Sequence, residues 1–385
     1  MNIKQRVKAA INFKPVDRIP TMYRGIDYLT KSLMKHFGFG NDSKIEKNYK
    51  ELLKNMGADL YSTGYNPGYF STFVPECSYP EPELPYAKSG SFFYALDIKT
   101  VFKSLDEYQY TYAVYDSCPP LADIESEKEV KKDFLVEKLK HFDFNTYHQI
   151  PDFKLKKMDI LSYDDFKDNY QDFICIGVLN EVFMICCYLR GMKNFLEDFA
   201  FNKRLAERVI EEVGNFCIQF NKCELEGFGN KAEWYAMWDD VAGQYGMMFD
   251  PVLFKKYFLP IYKKIIENTK KHNLIFSWHC CGNVNDILPL MIDAGIDVFD
   301  VVQTSAKDME IENVYKRYGR DICLHGGIDV QKLLPFGKPK DIKNEVKKIM
   351  NLWGRNGGII LGPSHEALPE TPVENILAIY EEIGK

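Results

Sequence analysis

Apolar and polar positions alternate along the second half of this chain in a rhythm that defines its elements. Short apolar runs recur at 173–179, 233–238, 274–278, 298–302, 322–324 and 358–361. Longer stretches with apolar residues at helical spacing lie between or after them, at 182–199, 203–226, 251–271, 284–294, 341–353 and 372–383. Strands alternating with helices predict parallel pairing through crossover helices. Upstream, 3–13 reads as an amphipathic helix, 17–23 as a first strand closed by Arg24, 28–37 and 45–56 as helices, and 59–64 as a second strand. The sum is about eight strands, the number that closes a (β/α)8 TIM barrel, here with additional N-terminal helices. Residues 65–171 break the rhythm with Pro/Gly/Tyr-rich loops, a hairpin around 92–112 and a charged helix at 125–140. That stretch is expected to be an irregular capping insert within one domain, 1–385.

Composition narrows the class. The 385 residues are 46% apolar and 27% charged, values of an ordinary globular chain. A net charge of −6 without a basic patch argues against nucleic acid. No run reaches the length of a membrane span, and the opening MNIKQRVKAAINF lacks a secretory core. The ten cysteines are scattered. Reduced thiols in a cytoplasm are the expectation, with Cys175, Cys186, Cys187, Cys217 and Cys223 as core filler.

A barrel makes a specific demand, because the residues just past its strands face the ligand. The run LIFSWHCCG ends its apolar climb at His279, Cys280 and Cys281. His279 and Cys281 are two apart, so extended chain turns both to one face, and imidazole with thiolate suits zinc. Cys280 should face away. His365, after the last strand, is the first choice for a third ligand; satisfying a loop carbonyl is its other role. His325 can bind substrate, with Cys323 pointing into the barrel wall. Glu181 is a displaceable fourth ligand, a general acid–base group, or a cap on the helix that follows. Of the adjacent pair Asp239 and Asp240, one can orient a substrate or a ligand histidine. Asn180 and Gln303 also follow strands. Arg24 either meets an anionic substrate or forms a surface salt bridge. Nucleotide-binding, serine-hydrolase and zincin motifs do not occur.

Pro15-Val16-Asp17-Arg18-Ile19-Pro20, Asp240 with Gln244 and Gly246, His279-Cys280-Cys281-Gly282, Gly326-Gly327-Ile328-Asp329, Gly362-Pro363-Ser364-His365 and Pro369-Glu370-Thr371-Pro372-Val373-Glu374-Asn375 together resemble the uroporphyrinogen decarboxylase superfamily. That superfamily includes zinc-dependent methylcobamide:thiol methyltransferases. The decarboxylase proper carries Arg-Gln-Ala-Gly-Arg after its first strand, where this chain has Tyr23-Arg24-Gly25-Ile26-Asp27. The methyltransferase branch holds zinc with a His-x-Cys pair plus a cysteine near the last strand; His279 and Cys281 match the pair, and His365 stands at the third place.

The resemblance therefore implies a zinc-dependent methyltransferase. It would move a methyl group between a corrinoid and a small thiol or methoxylated compound. The chain lacks the Asp-x-His-x-x-Gly corrinoid motif, so methylcobalamin would ride on a partner corrinoid protein. A homodimer is a further expectation of the resemblance. Two alternatives stand beside it. One is a metal-free decarboxylase gripping substrate carboxylates with Arg24, Arg190 or Arg204; the other is a non-catalytic corrinoid or small-ligand binding module.

Overall fold

The computed structural model describes residues 1–25, 27–39, 45–62, 100–105, 110–115, 119–139, 175–176, 180–228 and 232–384. Strands are numbered in chain order. β1 (Met22–Arg24) pairs in parallel with β2 (Leu60–Ser62). β3 (Thr100–Leu105) and β4 (Tyr110–Tyr115) form an antiparallel hairpin within the insert. β5 (Cys175–Ile176) and β6 (Trp234–Trp238) follow, and β7 (Ala242–Gly243) with β8 (Gly246–Met247) makes a second small hairpin. β9 (Ile275–His279), β10 (Val298–Val302), β11 (Cys323–Ile328) and β12 (Ile359–Pro363) complete the set.

The main sheet is parallel in the order β12-β11-β10-β9-β6-β5. Bridges Thr21↔Leu361 and Gly25↔Ala367 carry the β1–β2 pair onto β12. The order β5-β6-β9-β10-β11-β12-β1-β2 winds the parallel strands in chain order, with β1 and β2 following β12.

Side-chain parity divides this sheet into two faces. Tyr235, Met237, Phe276, Trp278, Phe299, Leu324, Ile359 and Leu361 join the large core shared with the helices. Met22, Leu60, Trp234, Ala236, Val298, Cys323 and Ile360 form a second cluster with Val7 and Ile11 of the helix Ile3–Ile11. This inner cluster draws on six strands, so it is the interior of the winding, with the first helix packed against its lower end. Asn2 and Gln5 close that helix's N-terminus as a capping box. Arg6 and Arg18 both pair with buried Asp59, and Arg6 also pairs with Asp17, which clamps the helix to the start of β1. Continuing the inner parity upward gives Arg24, Trp238, His279, Asp300, His325 and Gly362.

Several boundaries differ from the sequence reading. The expected helix 182–199 is two helices, Val182–Arg190 and Met192–Phe201, broken at Gly191 with φ 85°. The charged stretch 125–140 holds a 3-10 turn, Glu127–Glu129, and a short helix, Phe134–Leu139, separated by Asp133 at φ 58°. The helix expected from 284 begins at Leu288. β11 extends past the expected end at 324 through His325, Gly326 and Gly327, which pair with β12. The helix Ile311–Tyr318 had not been expected. Among the described residues no helix is long and apolar enough to cross a membrane. Most of the insert 65–171 and the side chain of Cys175 lie outside the described residues.

Candidate metal centre

Parallel registers place Trp238 opposite His279, His279 opposite Asp300, and Asp300 opposite His325. Four neighbouring strands thus present one rung of side chains to the interior. Asp300 is its hub. Its Oδ2 faces His279 Nδ1 at 2.8 Å, and its Oδ1 faces His325 Nδ1 at 2.5 Å. Arg24 donates to both oxygens, at 3.3 and 3.2 Å. Burial alone would push this carboxyl up; Arg24, then His279 and His325, more than offset it and hold Asp300 well below the usual carboxylate range. The indole of Trp238 stacks on His279 with centroids 4.8 Å apart and has the Arg24 guanidinium 5.0 Å from its ring.

The chain leaves β9 through Cys280, Cys281, Gly282 and Asn283, whose N–H groups are all bound. Cys280 N donates to Asp300 O, Cys281 N to Asp240 Oδ1, Gly282 N to Gln303 Oε1, and Asn283 N to Gly243 O. Cys280 points away and accepts from Val241 N, as parity required. Cys281 turns back toward His279, with Sγ 3.3 Å from Nε2. His365 arrives from the loop after β12, fixed by Ser364 N donating to Ile328 O and Ala367 N to Arg24 O. Its ring meets that of His279 edge to face at 5.7 Å.

His279, Cys281 and His365 bring one ligand atom each within 4.8 Å of one another. Ligand bonds of ~2.0 Å from nitrogen and ~2.3 Å from sulfur can meet at one point across such spacings with small adjustments, and three protein ligands leave the fourth tetrahedral position open. Burial, then Arg24 and His279, lower His365 to about 3, so it is neutral with a lone pair to offer at neutral pH. Burial first, then Asp240 and Cys280, push the Cys281 thiol well up, with Arg24 opposing. A thiolate here calls for a cation beside it.

Other expected site residues do different work. Neither Asp239 nor Asp240 bonds a histidine; Asp300 bonds both His279 and His325, a contact missed in the sequence. Asp239 accepts from Phe183 N, Met184 N and the Tyr262 hydroxyl, and burial pushes it up to about 7. It therefore caps the helix after Glu181, whose own carboxyl makes no capping bond. Glu181 accepts from Tyr188 OH, and burial, followed by Asp239 and Asp240, holds it well above its usual range. Gln303 spends its carbonyl oxygen on Gly282 N and Gln244 Nε2, anchoring the loop. Asn180 donates to Cys217 O and Tyr235 OH behind the sheet, away from His279, Cys281 and His365. Arg24 is buried against Asp300, not on the surface. Cys186, Cys187 and Cys217 are buried filler, as expected.

The family model for uroporphyrinogen decarboxylase (URO-D) matches residues 159–385, which include this whole centre except Arg24. The chain belongs to the uroporphyrinogen decarboxylase family. Its relatives in the family are of two kinds. Methylcobamide:CoM methyltransferase MtbA of Methanosarcina acetivorans is 25% identical over 46% of this chain and 49% of that protein. Methylated-thiol–coenzyme M methyltransferase of Methanosarcina mazei is 21% identical over 56% and 54%. Uroporphyrinogen decarboxylase of Methylococcus capsulatus is 29% identical over 25% and 26%. The chain spans about half the length of the curated methyltransferases it matches. A solved methyltransferase from Methanosarcina mazei shares the fold, with TM-score 0.63 and 19% identity over 100% of this chain and 98% of that one.

Proposed function

We propose that this protein is a zinc-dependent methyltransferase that moves a methyl group between a corrinoid, carried by a partner protein, and a small thiol or methoxylated substrate. The observation that carries this reading is the convergence of His279, Cys281 and His365 within 4.8 Å at the interior end of the strands. Zinc held there would act as a Lewis acid toward a thiol sulfur or a methylated oxygen. One thiolate and two neutral imidazoles give the donor set a single negative charge. A second cysteine would make it more negative, so this set favours taking the methyl from a methylated substrate.

The remaining residues support that chemistry. Asp300 fixes the Nδ1 proton of His279 and so leaves Nε2 free to ligate, while Arg24 balances the charge of Asp300. Asp240 and Gln303 hold the cysteine loop still. Glu181 stands beside Asp239 and Asp240, and burial first, then those carboxylates, disfavour its charged form. The curated methyltransferase relatives support the reading, and so does the fate of the arginines a decarboxylase would use. Arg24 is committed to Asp300, Arg190 to Asp198 and the carbonyls of Leu121 and Ala122, and Arg204 is exposed. A closed barrel, a capping insert over its mouth, a single domain, a homodimer and a cytoplasmic location belong to the same proposal.

The test is methyl transfer from free methylcobalamin to 2-mercaptoethanol by the zinc-loaded protein, followed by the cobalamin spectrum. The expected result is demethylation that Cys281→Ser abolishes. Equal rates with parent and variant would overturn the reading.

A further inference from the structure

We infer that His325 takes the proton that a substrate thiol or hydroxyl sheds on reaching the metal centre, and returns it when transfer runs the other way. The inference rests on the methyltransferase reading and adds a residue to it. A charged carboxylate only accepts hydrogen bonds. Asp300 lies between two imidazoles and accepts from Nδ1 of each. In its neutral form each ring therefore carries its proton on Nδ1 and turns an Nε2 lone pair away from Asp300.

The two lone pairs have different surroundings. His279 Nε2 lies 3.3 Å from Cys281 Sγ, within the metal cluster. His325 Nε2 is buried and has no hydrogen-bond partner among the described residues. An unpaired buried acceptor is destabilising, and such an atom in a native fold calls for a ligand. His325 faces the same interior as His279, one strand beyond Asp300. At ~4.8 Å per strand the two backbones are ~10 Å apart, a gap one small substrate can bridge. On its other side His325 pairs with Ile360, which supplies no polar group. The next residue but one on that strand is Gly362, where even a Cβ would stand 3.7 Å from Nε2.

The step balances. The S–H or O–H bond breaks and its electron pair stays on the substrate atom, which becomes an anionic ligand. The Nε2 lone pair forms the new N–H bond, and the resulting imidazolium faces Asp300. In reverse, Nε2–H returns the proton to the departing thiolate or alkoxide.

The test counts protons. Zinc-loaded full-length protein is titrated with 2-mercaptoethanol at pH 7 by calorimetry in two buffers of different ionisation enthalpy. The wild type should release close to zero protons per thiol bound, and His325→Gln about one, with zinc content unchanged; His325→Asn gives the same comparison if the first variant misfolds. Release of about one proton by the wild type, or of none by a folded variant, overturns this inference alone. A wild type that binds no stoichiometric zinc overturns the methyltransferase reading and this inference with it.

Discussion

Replacing Asp300 by Asn keeps the shape of the hub and removes its charge. Four donors point at this carboxylate: two from Arg24, one from His279 and one from His325. An amide offers one acceptor oxygen, and its NH2 group would face a donor. The Arg24 guanidinium, 1% exposed, would lose its counter-charge. At an effective dielectric of about 20, opposite charges ~4 Å apart attract by about 4 kcal/mol. Breaking a buried pair by removing one partner costs about 3–5 kcal/mol. The two figures agree, so the D300N variant should be less stable by about 3–5 kcal/mol in urea unfolding of the metal-free protein. It should also lose zinc affinity by about 10–100-fold in chelator competition, because the His279 tautomer is no longer fixed. Adding Arg24→Met should recover about 2 kcal/mol or more, since the stranded charge is then gone. A D300N variant within 1 kcal/mol of the parent and within threefold in zinc affinity would refute the hub.

Two further outcomes follow from other parts of the fold. A methyl group at Gly282 would lie 2.4 Å from Gly243 O, and φ is 90° there, so Gly282→Ala should cost roughly 3 kcal/mol and release bound zinc, read by unfolding and metal analysis. Asp17 is held below its ordinary range first by its hydrogen bonds from Arg6, and further by the N-terminal ammonium, against burial. A depressed carboxyl stabilises the fold above its unfolded pKa of ~3.9 and loses that contribution as pH falls through the folded value. The urea midpoint should therefore fall on acidification below about pH 4, and Asp17→Asn should shallow that fall by less than ~1 kcal/mol, because Asp17 is 40% exposed.

The convergence of His279, Cys281 and His365 was legible in the sequence for a local reason. His279 and Cys281 end an apolar run two residues apart, and a two-residue period needs no knowledge of the rest of the fold. His365 followed from its place after the last strand. Asp300 was not read out, because it sits inside Val-Phe-Asp-Val-Val, which scans as one apolar strand. A signal was present: a lone carboxylate in a buried strand must find a partner. Its partners, Arg24, His279 and His325, come from three other strands, so only the register names them. The same missing register made one of Asp239 and Asp240 look able to orient a substrate or a ligand histidine. The apolar run stops at Leu324, which ended the expected strand there and placed His325 after it. Pairing with β12 keeps the strand running and sets His325 on the inner face.

The central claim is that one sulfur and two imidazoles hold a single zinc ion with a position left for substrate. Zinc K-edge X-ray absorption on the purified protein tests it most directly. The account expects one zinc per chain, with a single sulfur near ~2.3 Å, two imidazole nitrogens near ~2.0 Å and one lighter, exchangeable ligand that 2-mercaptoethanol replaces with a second sulfur. Zinc-free protein, or two sulfurs before any thiol is added, would contradict it.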